Sequence, residues 1–518
     1  MPCTTILVGK KASYDGSTMI ARNDDSGSGH FTAKRFIVVK PEEQPRHYRS
    51  AISHVEVDLP DDPQRYTACP NVDPSKGIWA ASGINASNVA MTATETITTN
   101  ARVLGADPLV ELEEADAASG KPEKAGGIGE EDLVVLTLPY IHSAREGVQR
   151  LGALHEQYGT YETNGVGFAD GNEIWWFESV GGHHWIARRV PDEVYVVMPN
   201  QLGIDYFDLR DACGEQKDFM CSPDLSAWMK ENHLDLTLRG GNARVTSDAD
   251  RSGEEPEGVF NPRDAFGSHD DADHVYNTPR AWFMLRMLNP GTAVWDGPNA
   301  EYNPQSDDLP WCMIPERKVT VEDVKYVLSS HYQGTPYDPY GSYGDASMRG
   351  AYRSIGINRN DFLALLQIRP DVDARFRAVE WIAFASNAFN AIAPFYTNVE
   401  DTPSYLKDTT LRVSTDSFYW ASRLIAALTD ASYGKSLNHI EHYEMEVLAK
   451  GHELIAKYDR ALQKAAADGA DESALRALCA EGNEEMAQAL KKAADHTLDQ
   501  VLFETSNGMR NSYSRSDH

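Results

Sequence analysis

Cys3 and Arg22 are the two residues whose types and spacing first suggest chemistry. The chain opens Met1-Pro2-Cys3-Thr4-Thr5, and Arg22-Asn23-Asp24-Asp25 follows about twenty residues later. A thiol at a chain's first position lies beside an α-amino group with a pKa of about 8. That amine can take the thiol proton and pass it to a leaving amine. A nearby cation lowers a thiol's pKa, so Arg22 is the candidate for favouring the thiolate. Asp25 is the candidate for holding the amine and the arginine. The residues alone leave a second reading open, in which Cys3 is a small buried residue that begins a strand.

Bringing Cys3 to Arg22 requires a hairpin, and the sequence encodes one. Thr4 to Gly9 is β-branched and apolar, Ser13-Tyr14-Asp15-Gly16-Ser17 carries turn chemistry, and Thr18 to Arg22 returns as a second strand. Further strands are expected at Phe36–Val39, Gly77–Ala80 and Val89–Thr96. A meander is expected over 164–200, with strands at Val166–Ala169, Glu173–Val180, His183–Arg189 and Val194–Met198. Ser143 with Glu146 three residues on predicts a capped helix that ends at Gly159. The stretch from Thr246 to Asp273 is polar and reads as an excursion or loop. Helical spacing then dominates in Phe418–Leu428, His439–Lys464 and Glu472–Leu502. The architecture that fits is α+β, with residues 1–430 as a core and 431–518 as a helical extension packed on it.

Other side chains could serve the same site. Glu95 ends a strand and could receive a substrate α-ammonium; a solvated strand-end carboxylate is the alternative. Arg188, Arg189 and Arg280 could grip a substrate carboxylate in a bidentate manner, or could form ordinary surface ion pairs. His183 and His184 are adjacent, and neighbours in a strand point to opposite faces, which argues against joint metal ligation. The chain has no His-Glu-x-x-His motif, Gly-x-Ser-x-Gly motif or Gly-rich phosphate loop. A mechanism without metal or cofactor is therefore expected.

Composition sets outer bounds. The 518 residues carry 78 acidic against 48 basic side chains, a formal charge of −30, which disfavours nucleic-acid binding. The N-terminus lacks a signal-like apolar run, and no apolar stretch approaches membrane-spanning length, so a cytoplasmic protein is expected. The six cysteines form no Cys-x-x-Cys pair and read as reduced thiols.

The run Cys3-Thr4-Thr5-Ile6-Leu7-Val8-Gly9, followed by Asp15-Gly16-Ser17 and Ala21-Arg22-Asn23-Asp24-Asp25, resembles the opening of bacterial dipeptidase A-type enzymes. These are N-terminal-nucleophile hydrolases related to secernins and choloylglycine hydrolases. Gly83-Ile84-Asn85, Thr92-Ala93-Thr94-Glu95-Thr96, Pro199-Asn200-Gln201, Asn277-Thr278-Pro279-Arg280-Ala281-Trp282 and Pro394-Phe395-Tyr396 extend the resemblance to about residue 430. It implies an αββα sandwich of two antiparallel sheets between helix layers. It also implies a cysteine dipeptidase of broad specificity, acting on small peptides. Assembly as a homo-oligomer is the separate expectation for a soluble peptidase. Asn200 resembles the asparagine that related amidohydrolases use for the oxyanion, with Asn164 as a rival. One departure stands out: Met1 and Pro2 precede Cys3, and the family's chemistry implies their removal. Hydrolysis of N-acylated amino acids, bile-salt conjugates or penicillin V is the alternative activity, and a non-catalytic secernin-like protein is the alternative class.

Overall fold

The computed structural model describes residues 3–236 and 258–511. Among them, two large antiparallel sheets carry the architecture. Their strands, numbered together in chain order, are β1 (Cys3–Val8), β2 (Thr18–Asp25), β3 (Ser82–Ile84), β4 (Ala90–Thr96), β5 (Asn164–Ala169), β6 (Ile174–Ser179), β7 (Trp185–Val190), β8 (Tyr195–Met198), β9 (Phe219–Cys221), β10 (Cys312–Met313), β11 (Asn360–Ile368), β12 (Ala378–Phe384) and β13 (Ala393–Tyr396). One sheet runs β10-β8-β1-β2-β11-β12-β13 and the other β9-β7-β6-β5-β4-β3.

The sheets face each other through β1, β2 and β11 on one side and β4 and β5 on the other. Alternation along the strands builds this contact. Gly167 faces the opposing sheet, where an added Cβ would meet Leu7 Cδ2 at 3.0 Å and Ile20 Cδ1 at 3.9 Å. Its neighbours Val166 and Phe168 point outward, into a second core with Trp175 and Phe177. Helix α1 (Ala144–Tyr158) covers that face. Its start and end follow the sequence signals: Ser143 Oγ accepts from Glu146 N at 3.1 Å, and Gly159 closes it at φ +66°. The outer face of the first sheet is covered by α2 (Thr278–Leu288), α3 (Val321–Leu328) and α4 (Phe418–Ala431). The layers are thus helix, sheet, sheet, helix, an α+β arrangement.

Two long helices, α5 (Tyr433–Ala467) and α6 (Glu472–Asn507), pack on each other and on the edge strand β13. Asn483 of α6 makes a two-bond clamp on that edge. Its Oδ1 accepts from Tyr396 N at 2.7 Å and its Nδ2 donates to Tyr396 O at 2.9 Å. A side-chain amide here takes the place of a neighbouring strand.

Three local expectations change. Gly77–Ala80 is not a strand, and the ladder begins at Ser82. The polar excursion is narrower than expected. Residues 246–257 lie outside the described residues, but Val259–Phe260 forms a short strand and Pro262–Phe266 a helical turn whose Phe260 and Phe266 are buried. Asn261 as N-cap and Pro262 as first residue were the start signals. Finally, β7 begins at Trp185, so His183 and His184 sit in the preceding turn. Both imidazoles turn to one carboxylate, with Nδ1 at 3.0 Å and 2.7 Å from Asp107. Burial opposes ionisation of Asp107, yet these bonds hold it well below the usual carboxylate range. Strand alternation does not apply to residues in a turn.

Candidate active site

Antiparallel pairing of β1 and β2 sets Cys3 opposite Asp24 and Thr5 opposite Arg22. With a period of two, Arg22 and Asp24 share one face of β2, and Asn23 and Asp25 share the other. The first face looks into the space between the sheets, where the thiol lies. Arg22 Nη2 donates to Cys3 Sγ at 2.7 Å, to Asp24 Oδ1 at 2.8 Å and to Glu130 Oε1 at 3.1 Å. Asp24 is also bridged by Lys34 Nζ at 2.8 Å. Burial alone would push Asp24 up, but Lys34 and Arg22 outweigh it and hold the carboxyl below its ordinary value. The result is a fully buried guanidinium held among two carboxylates and a sulfur.

Cys3 Sγ and oxygens of Asp24 and Glu130 lie within 4.8 Å of one another, close enough to hold one cation. Arg22 Nη2 already bonds all three, so the guanidinium is the cation of this cluster.

Asp25 stands on the other face. Its carboxylate accepts from Arg353 Nη2 and from Asn360 Nδ2, and it joins β2 to the layer outside the sheet. The position expected of it, holding Arg22, is filled by Asp24. The alternation of side chains along β2 carried that signal. Lys34 and Glu130 had no comparable signal, since they reach the site from loops 12 and 108 residues beyond Arg22.

Asn200 and Arg280 form the second half of the cradle. Asn200, just after β8, accepts from Cys3 N at 3.1 Å through Oδ1 and donates from Nδ2 to Thr96 O at 2.9 Å. Arg280 Nη2 also donates to Oδ1, at 2.7 Å; a guanidinium has no acceptor, so this bond fixes which end of the amide is oxygen. Arg280, from α2, is fully buried. Its Nη1 donates to Cys3 O and, at 2.7 Å, to Thr4 Oγ1; Nη2 also reaches Asn277 Oδ1 at 2.6 Å, and Nε reaches Tyr276 O at 2.8 Å. All five N–H groups thus have acceptors within the chain. The side chain expected to grip a substrate carboxylate instead fixes the backbone of Cys3.

The remaining candidates divide between the neighbourhood of this cradle and the surface. Glu95 pairs with Gly165 in the β4–β5 ladder, but its side chain lies outside the described residues. Asn164, next along β5, pairs with Thr96 and donates to Glu162 O at 3.2 Å. Arg188 bonds Asp205 at 3.1 Å and stacks on Trp311, and Arg189 bridges Glu173 and Asp192, so both build surface ion pairs. Glu162, absent from the sequence-based candidates, accepts from Glu130 N at 2.8 Å. Burial, and beyond it the charge of Glu130, pushes its carboxyl up.

Comparison with known proteins gives the class of chemistry for this cradle. The profile of peptidase family C69 matches residues 2–446. The chain belongs to peptidase family C69. It is therefore a hydrolase of peptide bonds. Among similar proteins, a dipeptidase of Bifidobacterium longum is 54% identical over 550 residues, covering 100% of both chains. A probable dipeptidase A of Streptococcus pyogenes is 50% identical over 517 residues, again 100% of both. Dipeptidase A of Lactobacillus helveticus is 44% identical over 461 residues, 88% of each. Among the described residues of this C69 chain, no helix is long and apolar enough to cross a membrane.

Proposed function

We propose that this peptidase hydrolyses dipeptides of varied side chains, with Cys3 as the nucleophile. The observation that carries the reading is the Arg22 Nη2 to Cys3 Sγ bond of 2.7 Å, made beside a Cys3 nitrogen seated on Asn200. Full-length relatives named as dipeptidases support the substrate class.

The active form begins at Cys3, after loss of Met1 and Pro2. Its α-amine takes the thiol proton, and sulfur attacks the peptide carbonyl while Arg22 stabilises the thiolate. Asn200, pinned through Oδ1 by Arg280 and the Cys3 nitrogen, turns its NH2 end to the oxyanion of the tetrahedral state. The C–N bond breaks, the amine's proton goes to the leaving amino acid, and a thioester remains. Water adds to the thioester with the Cys3 amine as base, and the S–C bond breaks to regenerate the thiol. Asp25 supports the strand that carries Arg22, and Arg280 fixes the Cys3 carbonyl. The working form in this reading is a cytoplasmic homo-oligomer.

Intact mass and N-terminal sequencing of the purified protein test the mechanism. A chain that begins at Cys3, alkylates there and turns over dipeptides supports it. A chain that begins at Met1 or Pro2, resists alkylation at Cys3 and is inert on dipeptides would favour a non-catalytic, secernin-like role.

A further inference from the structure

A peptidase restricted to dipeptides has to sense the charged ends of its substrate, and the cradle described above holds no receiver for an α-ammonium on Arg22, Arg280 or Asn200. The acceptors lie one step further along the same wall. In a thioester, the α-nitrogen of the acyl residue is three bonds from sulfur, about 3–4 Å away by ordinary bond lengths. A carboxylate oxygen of Glu130 lies within 4.8 Å of Cys3 Sγ, so an amino group on that acyl residue falls within its reach.

Glu130 is linked to a second carboxylate through its backbone, since its N–H donates to Glu162 Oε1 at 2.8 Å. Glu162 is half-buried and, among the described residues, takes part in no ion pair. Burial and the charge of Glu130 both act on the Glu162 carboxyl, so the two acids stand side by side. Two adjacent carboxylates suit a primary ammonium, which carries three N–H donors.

We propose that Glu130 and Glu162 receive the substrate's α-ammonium, so that the enzyme acylates Cys3 only with an amino-terminal residue. This rests on the dipeptidase reading and adds its positional rule. Glu130 also holds Arg22, which ties substrate binding to the cation on the thiol. Glu162 is the specificity residue that can be altered without touching that cation.

The test compares alanyl-alanine with propionyl-alanine, which lacks only the α-amine, on the mature wild type and on Glu162→Gln. The wild type is expected to favour alanyl-alanine at least about 100-fold in kcat/KM. Glu162→Gln is expected to lose about 10- to 100-fold on alanyl-alanine, mainly through KM, the range for one charge-assisted bond. Its rate on propionyl-alanine and its Cys3 alkylation rate should stay within about twofold of wild type. Equal losses on both substrates would show a structural role and overturn the inference, as would an unchanged KM for alanyl-alanine. Transfer of the whole effect to Glu95→Gln would overturn it too. A wild type inert on both compounds would instead remove the dipeptidase reading, and this inference with it.

Discussion

Asp24 lies directly across the β1–β2 ladder from Cys3, and its carboxylate holds, at 2.8 Å, the same Arg22 nitrogen that caps the thiol. The neighbouring Asp25 is turned to Arg353 on the far side of the sheet. These two adjacent acids therefore have separable effects.

Asp24→Asn should lower the pH at which Cys3 becomes reactive, because Arg22 and Lys34 lose their shared counter-charge and their positive field falls on the sulfur instead. Asp25→Asn should leave that profile in place and lower stability by about 3–5 kcal/mol, the cost of stranding a buried arginine. Iodoacetamide labelling of Cys3 against pH, together with denaturant unfolding, measures both. A shift in the labelling profile for Asp25→Asn alone would reverse the assignment.

Cys3→Ala should reduce dipeptide turnover by at least about 10⁴-fold, the scale seen when a covalent nucleophile is deleted. The thermal midpoint should stay near wild type, since one sulfur in a tight site is replaced by a smaller group of the same shape. Full activity in this variant would remove Cys3 from the mechanism.

Arg280→Lys should lower kcat on dipeptides and on dipeptide amides to the same degree. A lysine cannot reproduce five fixed donors, so the Cys3 carbonyl and Asn200 both lose their anchor. A loss confined to substrates with a free carboxylate would instead mark Arg280 as a substrate grip.

Stability should fall as pH rises through neutrality. Burial, and then the charge of Asp24, pushes Asp361 up to about 8, and burial pushes Glu178 and Glu380 up to about 7. A carboxyl raised in the folded state binds its proton there more tightly than in the unfolded chain. Its contribution is complete below the unfolded pKa of about 4 and is lost as pH rises to the folded value. His155, lowered to about 4 by burial, works in the opposite direction only up to its unfolded pKa of about 6.5. Thermal midpoints should therefore decline between pH 6.5 and 8 and level off above. Asp361→Asn should flatten that slope; an unchanged slope in the variant would show that other groups set it.

Much of this architecture was written locally. The first hairpin needed only β-branched runs and an Asp-Gly turn, and helix α1 needed only a serine cap and a closing glycine. The C-terminal helices were found by their periodicity, though each runs a few residues past its expected end because propensity marks ends poorly. The site divides in the same way. Cys3 and Arg22 meet because they share one hairpin, so their spacing predicted the contact. Glu130 reaches Arg22, Lys34 reaches Asp24 and Glu162 reaches the backbone of Glu130 through tertiary packing of loops, and no pattern around them announces it. The misreading of His183 and His184 came from applying a strand rule inside a turn.

Within the proposed mechanism, in which the active form begins at Cys3, the position of Arg280 has a consequence for maturation. It grips the carbonyl of Cys3 and the hydroxyl of Thr4, both downstream of the bond that must break to expose the amine. Asn200 likewise accepts an N–H that survives the cut, because an amide and an amine both offer one. Removing Met1 and Pro2 therefore alters the charge and basicity of the nitrogen without releasing the residue that bears it. The precursor and the mature enzyme should share one resting geometry, and the cut works as a chemical switch with no conformational step attached.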